Sequence, residues 1–313
     1  MKKVNIILPV YNEEQVIEKF TIELFKELKK FSAQYTFEVI YILDKSRDRS
    51  AEIISGLCDI FPGTKLVMLS RRFGHQMSLV AGMDQCDGDA VIMMDCDLQH
   101  PPAVIGQLLQ KFEEGYDVVH TIRNSTEKIG YFRKKASTTF YRVIQGISEV
   151  KISEDAADFR LISKQVLNIF KNDIREHNQF LRGLFHWVGF NQTYVNFDAA
   201  ERAAGKTKYD LRRLFRFALI GITSFSKTPL KFSIAIGFTV SLASFGYAAV
   251  LIFDYFTSTA YPPGWATLAV ILLFFMGIQF IFMGILGEYI GAIFDETKKR
   301  PLYVVEKMVK SKS

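Results

Sequence analysis

The chain has 313 residues, a formal net charge of +6 and 49% hydrophobic residues, a length that suits one sizeable α/β domain with an appendage. The three cysteines, Cys58, Cys86 and Cys96, form no CxxC pair and are odd in number, so neither a disulfide framework nor a zinc site is indicated. A domain in a reducing, cytoplasmic compartment fits this composition.

The first apolar run of the chain is broken by Pro9 and then by Asn12, Glu13 and Glu14. This run is far shorter than the core of a signal peptide, so we expect the chain to start directly with a strand. Four more short apolar runs follow, and the five together are Val4 to Val10, Phe37 to Leu43, Lys65 to Leu69, Ala90 to Met94 and Asp117 to Thr121. Such runs are typical of buried parallel strands.

The stretches between these runs have helical spacing. One places Ile17, Phe20, Leu24 and Leu28 on one face, and another follows Pro101-Pro102 with apolar residues from Ile105 to Phe112. The alternating order predicts an α/β fold with an open, mostly parallel, Rossmann-like sheet. Ligands bind such sheets beyond the carboxyl ends of the strands. The polar residues there are Tyr11, Asn12, Glu13, Asp44, Ser46, Asp48, Arg71, Arg72, Asp95, Asp97 and Gln99.

Asp95 and Asp97 stand two residues apart at the end of an apolar run. A β conformation sends both side chains to one side, where they can hold one hard cation, and Gln99 extends the series. The sequence therefore predicts Mg²⁺ or Mn²⁺ at Asp95, Asp97 and Gln99, where it would neutralise a diphosphate leaving group. The alternative is a solvated pair of carboxylates at a strand end.

Three further groups of polar residues are candidates for substrate binding. Asp44 can accept a hydrogen bond from a base or ribose, or it can simply form a turn. Arg123, Arg133 and Ser137 lie beyond the fifth run, where they can hold phosphate oxygens or remain solvated. Arg202, Lys206 and Lys208 flank Gly205 and suit a mobile phosphate clamp, or a basic stretch that binds anionic lipid without specificity.

Two long segments of the chain lack charge. They are Phe232 to Phe253 and Tyr255 to Gly287, and they predict two transmembrane helices. The second segment contains a turn at Pro262-Pro263-Gly264. The alternative is a hairpin of buried core helices.

Lys and Arg cluster in residues 202–231 and 298–311, which favours lipid headgroups over nucleic acid as the partner and places both termini in the cytoplasm. Residues 208–228 have the pattern of an amphipathic interfacial helix. Small residues such as Gly277, Gly284 and Gly287 allow homo-oligomers through the spans.

The sequence resembles the polyisoprenyl-phosphate glycosyltransferases of glycosyltransferase family 2, including the dolichol-phosphate mannose synthases and the bactoprenol glucosyltransferases. The resemblance covers roughly residues 3–300 and lies in six segments: Val10-Tyr11-Asn12-Glu13-Glu14, Leu43-Asp44-Lys45-Ser46-Arg47-Asp48, Ser70-Arg71-Arg72-Phe73-Gly74, Met94-Asp95-Cys96-Asp97-Leu98-Gln99-His100-Pro101-Pro102, Asp158-Phe159-Arg160 and Gly205-Lys206-Thr207-Lys208-Tyr209.

The resemblance implies a GT-A fold, an inverting reaction and a divalent metal. It implies that Pro9, Tyr11, Glu13 and Asp44 line the nucleotide, and that Arg123, Arg133 and Ser137 contact phosphates. It also implies that Arg160 binds substrate and that Asp158 is the catalytic carboxylate or a residue that orients the sugar or Arg160. One departure is the turn Leu43-Asp44-Lys45-Ser46, which lacks the first carboxylate and the glycine of the family's Asp-Asp-Gly-Ser turn and keeps the second Asp. The other is Arg72, where asparagine is usual; Lys45 and Arg72 bear on nucleotide preference. Both put the identity of the base in doubt.

These observations predict four parts: a cytoplasmic GT-A domain (1–205), an amphipathic interfacial region (206–230), a two-helix transmembrane hairpin (231–292) and a basic cytoplasmic tail (293–313). The predicted activity is transfer of a sugar, with glucose from a UDP-sugar preferred, to undecaprenyl phosphate at the cytoplasmic membrane face for envelope glycan modification, with a flippase as a further partner. Two alternatives are a family 2 transferase with another acceptor and a non-catalytic membrane scaffold. An oxidoreductase is disfavoured because no G-x-G-x-x-G follows the first strand.

Overall fold

The computed structural model describes residues 1–97, 99–124, 156–177, 179–198, 228–257 and 264–311. Five predicted site residues lie outside these ranges: Arg133, Ser137, Arg202, Lys206 and Lys208. The predicted interfacial helix also lies outside them, apart from its last residue, Thr228.

In these ranges one eight-stranded sheet has the order β7-β5-β6-β4-β1-β2-β3-β8. Strand β1 pairs in parallel with β2 and β4, and β2 pairs in parallel with β3, whereas β6 and β8 run antiparallel to their neighbours. The strands are β1 (Lys2–Val10), β2 (Tyr35–Leu43), β3 (Thr64–Leu69), β4 (Ala90–Met93), β5 (Val118–Asn124), β6 (Ala156–Ser163), β7 (Gln192–Asp198) and β8 (Val305–Lys310).

The five apolar runs became strands β1 to β5, so the predicted α/β fold with a mostly parallel sheet is confirmed. Strand β1 shows why the runs were visible: residues Val4 to Val10 are all buried, because helices cover both faces of the sheet. Strand β8, with the sequence VEKMVK, lies at an edge and is mostly exposed, so it lacks this signature.

Helices cover both faces of the sheet and form two core layers with it. The helices that precede the long apolar ones are α1 (Ile17–Leu28), α2 (Ser50–Ile60), α3 (His75–Gln85), α4 (Ile105–Glu113), α5 (Lys164–Asn172) and α6 (Leu181–Trp187). The predicted face of α1 is buried at Ile17, Phe20, Leu24 and Leu28. Each such side chain contributes on the order of 2 kcal/mol of hydrophobic free energy. Helix α3 packs on the other face, and its first residue lies at the carboxyl edge of the sheet.

Two long apolar helices follow, α7 (Thr228–Thr257) and α8 (Trp265–Thr297). Both contain a stretch long and apolar enough to cross a membrane by length and composition, Thr228–Tyr247 and Val270–Thr297, and neither stretch is buried inside the protein. Large apolar side chains such as Phe238 and Phe280 are exposed along them. The boundaries extend beyond the predicted hairpin of residues 231–292 at both ends, because the helices continue into their polar flanks.

The C-terminal residues, which were predicted to form a basic cytoplasmic tail, contact the sheet. After α8 the chain returns to the sheet domain, and β8 pairs antiparallel with β3, so that Val67 faces Met308. Leu302, Tyr303 and Val305 pack against the core beneath α3. We call residues 298–311 the return segment. Their basic charge predicted a cytoplasmic tail, whereas in the structure Val305–Lys310 form an edge strand of the sheet.

Candidate active site

The loops that follow β1 and β2 are joined by reciprocal hydrogen bonds. The Asn12 N–H donates to Ser46 Oγ (3.0 Å), and the Arg47 N–H donates to Asn12 Oδ1 (2.9 Å). The Glu14 N–H donates to Asp48 Oδ2 (3.1 Å). Asn12 adopts a φ of 57°, a left-handed conformation that asparagine tolerates better than most residues. These bonds hold the two strand ends, and therefore Tyr11 and Asp44, at fixed positions along the edge.

Asp44 is 3% exposed and bonds to the turn that begins helix α3. Its Oδ1 accepts from the Phe73 N–H (2.8 Å), and its Oδ2 accepts from the Gly74 N–H (2.9 Å). Gly74 has a φ of 93°, which a residue with a Cβ rarely adopts. Asp44 therefore has the turn-forming role that the sequence left open, while its side chain still lines the cleft described next.

A cleft of about 290 Å³ lies at this edge, and we call it the carboxylate cleft. The predicted residues Pro9, Tyr11, Glu13, Asp44, Asp95 and Asp97 all line it, together with Val10, Arg72, Gly74, His75, Ser78 and Cys96. The structure thus brings together residues from the ends of β1, β2 and β4, as expected for a parallel sheet.

Negative charge accumulates in the carboxylate cleft. Partial burial, followed by the charges of Asp97 and Asp95, raises the pKa of Glu13 to about 7. Asp95 Oδ1 lies 2.8 Å from His75 Nε2, and the Asp97 Oδ1 accepts from the Gln99 N–H at 3.0 Å. Carboxylates crowded in this way favour a cation between them.

Gln99 and Arg123 differ from their predicted positions. Arg123 lies within β5 rather than beyond it, because the strand continues to Asn124. Its Nη1 donates to Gln99 Oε1 at 3.4 Å. Gln99 is 8% exposed and is not among the residues that line the carboxylate cleft. The predicted third metal ligand therefore has its oxygen turned to Arg123, a contact that spacing along the strand did not reveal.

The donor set fits a magnesium or manganese ion bound together with substrate. The described residues contain no group of three or more His, Cys, Asp and Glu side chains positioned to hold a metal by themselves. Mg²⁺ commonly uses one or two carboxylates and takes its other ligands from substrate phosphates and water. Asp95 and Asp97 supply such a pair, and the charge around Glu13 supplies the electrostatic reason for binding.

The two arginines after β3 have different surroundings. The Arg72 guanidinium lies 4.1 Å from the centre of the Tyr11 ring inside the carboxylate cleft, and Arg71 lies 4.2 Å from that of Phe73. Arg71, predicted to bind substrate, is not among the residues that line the cleft. Lys45, which follows Asp44, pairs with Glu306 of strand β8 at 2.8 Å.

A second cavity, of about 480 Å³, adjoins the first, and we call it the Asp158 cavity. The two share Gly74 and His75. The other residues that line it are Phe73, Gln76, Met77, Asp158, His177 and Arg182. Arg182 holds Asp158 by two hydrogen bonds of 2.9 Å, from Nε to Oδ1 and from Nη2 to Oδ2. This bidentate pair fixes the orientation of the carboxylate.

Arg160 supports Asp158 from below. It is 1% exposed, its Nη2 donates to Asp158 Oδ1 at 3.1 Å, and its guanidinium lies over the Phe185 ring. Such burial disagrees with the predicted direct contact of Arg160 with substrate. Burial alone would raise the pKa of Asp158, but the charges of Arg182 and Arg160 outweigh it and hold that pKa well below its ordinary value.

Three residues at the site were missed from the sequence. His75 lies between the two cavities and bonds to Asp95, and His100 Nδ1 accepts the Asp95 N–H at 2.9 Å. Arg182 orients Asp158 from helix α6. His75 follows Arg71 and Arg72 at the predicted edge, which was a usable signal. Arg182 is 24 residues from its partner and had none.

The fold and the carboxylate cleft together define a Rossmann-like α/β protein with an acidic cleft at the carboxyl edge of its sheet, and comparison with known proteins identifies its family. Residues 5–170 match the family model named Glycosyl transferase family 2. The chain belongs to this family, has its GT-A-like α/β fold and is a glycosyltransferase.

Individual relatives match nearly the full length of the chain. It is 40% identical over 303 residues to the uncharacterized glycosyltransferase YkcC of Bacillus subtilis, covering 97% of this chain and 93% of that protein. It is 39% identical over 307 residues to the bactoprenol glucosyl transferase of Shigella phage SfII, covering 97% and 98%. Among solved structures, the glucosyl-3-phosphoglycerate synthase of Mycobacterium tuberculosis aligns with a TM-score of 0.47 and 17% identity, covering 71% of this chain and 76% of that one.

Proposed function

We propose that this glycosyltransferase moves glucose from UDP-glucose to undecaprenyl phosphate at the cytoplasmic face of the membrane, with inversion at the sugar carbon. The observation that carries the proposal is the carboxylate cleft, in which Asp95, Asp97 and Glu13 lie beside the Arg72 and Tyr11 stack. The full-length similarity to a protein named bactoprenol glucosyl transferase supports the choice of sugar and lipid.

The nucleotide-sugar fits the carboxylate cleft by charge and shape. Tyr11 and Arg72 offer a stacked surface for the base or ribose, and Pro9 and Asp44 complete the floor. Asp95 and Asp97 would hold Mg²⁺ or Mn²⁺, which neutralises charge on the departing diphosphate. Gln99, Arg123, Arg133 and Ser137 remain candidates for the diphosphate side, as do Arg202, Lys206 and Lys208 for a mobile clamp.

Transfer forms one bond and breaks one. An oxygen of the lipid phosphate attacks the anomeric carbon, and the bond from that carbon to the β-phosphate oxygen breaks, so UDP leaves with the electron pair. The acceptor phosphate is already ionised near neutral pH, so no general base is required. Asp158, with its low pKa and two arginine partners, suits a fixed anion that orients the sugar and stabilises positive charge at the reacting carbon.

The lipid acceptor accounts for the two apolar helices. Helices α7 and α8 would span the membrane, with the loop between them outside and both termini in the cytoplasm. The predicted interfacial helix of residues 208–228 would hold the catalytic domain against headgroups, where a lipid phosphate can reach the site. The same proposal includes association of copies of the protein through the glycines of α8. It also includes transfer of the product to a flippase.

The test uses purified full-length protein with Mn²⁺, undecaprenyl phosphate and a panel of radiolabelled nucleotide-sugars. We expect lipid-linked glucose from UDP-glucose, and no transfer in Asp97→Asn. Absence of transfer from every donor, or full activity in Asp97→Asn, would contradict the proposal. Transfer from a different donor would retain the reaction and replace the sugar.

A further inference from the structure

The last turn of helix α8 touches the Asp158 cavity through one residue. Glu296 Oε1 accepts from the His177 backbone N–H at 2.6 Å, and Glu296 Oε2 lies 3.3 Å from the ring Nδ1. The ring Nε2 of His177 lies 2.8 Å from the Arg300 carbonyl oxygen. His177 itself lines the cavity with Asp158 and Arg182. One side chain therefore separates the end of this apolar helix from the site where Asp158 lies.

The return segment continues from this point to helix α3. The Tyr303 hydroxyl donates to Asp84 Oδ2 at 2.7 Å. Arg175 donates to both oxygens of the same carboxylate, at 2.7 and 3.0 Å. Asp84 lies near the end of α3, the helix whose first residue is His75. The segment therefore holds the helix that carries His75 between the two cavities.

The same segment then reaches the carboxylate cleft. The Ser70 N–H donates to the Val304 carbonyl at 2.9 Å, immediately before Arg71 and Arg72. Glu306 pairs with Lys45, which follows Asp44. A stretch of about a dozen residues thus contacts the chain beside each cavity, and it begins where α8 ends.

We propose that Glu296 and the return segment position the sugar-transfer site relative to helix α8, so that the Asp158 cavity is presented to an acceptor that approaches along this helix. The inference rests on the proposed function, because it needs α8 in the membrane and a lipid acceptor. Glu296 and His177 act here as positioning residues: they set the distance between a membrane-held phosphate and the cavity.

The Glu296 contacts are suited to positioning the Asp158 cavity and contribute little to the stability of the fold. The Glu296 side chain is 43% exposed, and ion pairs at such sites contribute little to stability. Small displacements of reacting groups, in contrast, lower rates strongly, by about a hundredfold for an ångström. Loss of Glu296 is therefore expected to leave folding intact and to disturb the approach of the lipid.

The experiment compares two acceptors in the full-length protein. One is undecaprenyl phosphate in vesicles of phosphatidylethanolamine and phosphatidylglycerol, and the other is the short, water-soluble citronellyl phosphate. We expect Glu296→Ala to lower kcat/KM for the vesicle-bound acceptor about tenfold and to leave that for citronellyl phosphate within about twofold. Glu296→Gln keeps an oxygen for the His177 N–H and should recover most of the loss.

The matched control is Asp295→Ala, which removes the neighbouring carboxylate. Asp295 pairs with Lys298, the residue directly after α8 (2.9 Å), and lines neither cavity, so both acceptors should behave as in the wild type. Equal losses with both acceptors in Glu296→Ala, or no loss with either, would overturn the inference. Failure of the proposed function gives a different result, because the wild type would then transfer sugar to neither acceptor.

Discussion

Glu13 in the carboxylate cleft and Asp158 in the neighbouring cavity have pKa values that are shifted in opposite directions. In the carboxylate cleft, Glu13, Asp95 and Asp97 crowd together, and the pKa of Glu13 rises to about 7. In the Asp158 cavity, Arg182 and Arg160 hold the pKa of Asp158 well below its ordinary value. Under the proposed function, a cation that binds with the substrate would offset the charge in the first site, whereas Arg182 and Arg160 offset it in the second. Under the same proposal, a metal-bound diphosphate would occupy the first site, and the second would provide a fixed charge for the sugar.

The largest effect is expected for Asp97→Asn. This change removes one of two carboxylates that would bind the metal, and we expect kcat to fall by about a thousandfold because the leaving diphosphate loses its charge compensation. Radiolabel transfer at saturating Mn²⁺ measures the loss. Ser78→Ala, which alters a small side chain that lines the same cleft, is the control and should keep activity within about threefold.

Asp158→Asn should be the next most damaging change. Two arginines lose their anionic partner, one of them buried, so we expect about 3 kcal/mol of lost stability together with about a hundredfold loss of kcat in the folded fraction. Thermal denaturation and rates normalised to folded protein separate the two effects. A rate loss that is explained entirely by unfolding would show that Asp158 has no role in the reaction.

Arg72→Ala should raise the KM for the nucleotide-sugar about tenfold and change kcat little, because the Arg72 stack on Tyr11 lines the carboxylate cleft, the proposed donor site. Steady-state kinetics at several donor concentrations test this. Arg71→Ala is the comparison: its guanidinium packs on Phe73, and its effect on KM should be under threefold. Similar effects of the two changes would contradict the assignment of the cleft.

The smallest expected effect is a change with pH in the stability of the metal-free protein. The pKa of Glu13 in the folded state is raised to about 7, from about 4.5 in the unfolded state. Its contribution to the free energy of unfolding is therefore fully present below pH 4.5 and is lost as the pH rises through 7. After allowance for solvent screening, we expect a loss of about 1 kcal/mol between pH 5 and about 7.5. Thermal melts in chelator measure it. Glu13→Gln, or added Mn²⁺, should flatten the profile, and a slope unchanged in Glu13→Gln would contradict this cause.

Continuous apolar runs made strands β1 to β5 predictable, because a strand buried on both faces needs apolar residues at every position. The edge composition then predicted the carboxylate cleft, since carboxyl ends of parallel strands meet. Six of its predicted residues line it: Pro9, Tyr11, Glu13, Asp44, Asp95 and Asp97. Gln99 instead contacts Arg123, which the spacing could not show, whereas Arg160 contacts Asp158, the partner that the sequence offered as an alternative.

The sequence by itself determined the alternating order of strands and helices, the apolar character of α7 and α8 and the residue types at the carboxylate cleft, because these follow from local pattern. Only the tertiary structure decided that Lys45 faces Glu306, that Arg182 holds Asp158 and that residues 298–311 return to the sheet. Those contacts join positions up to 261 residues apart, and charged residues at an edge strand carry no pattern that distinguishes a tail from a strand.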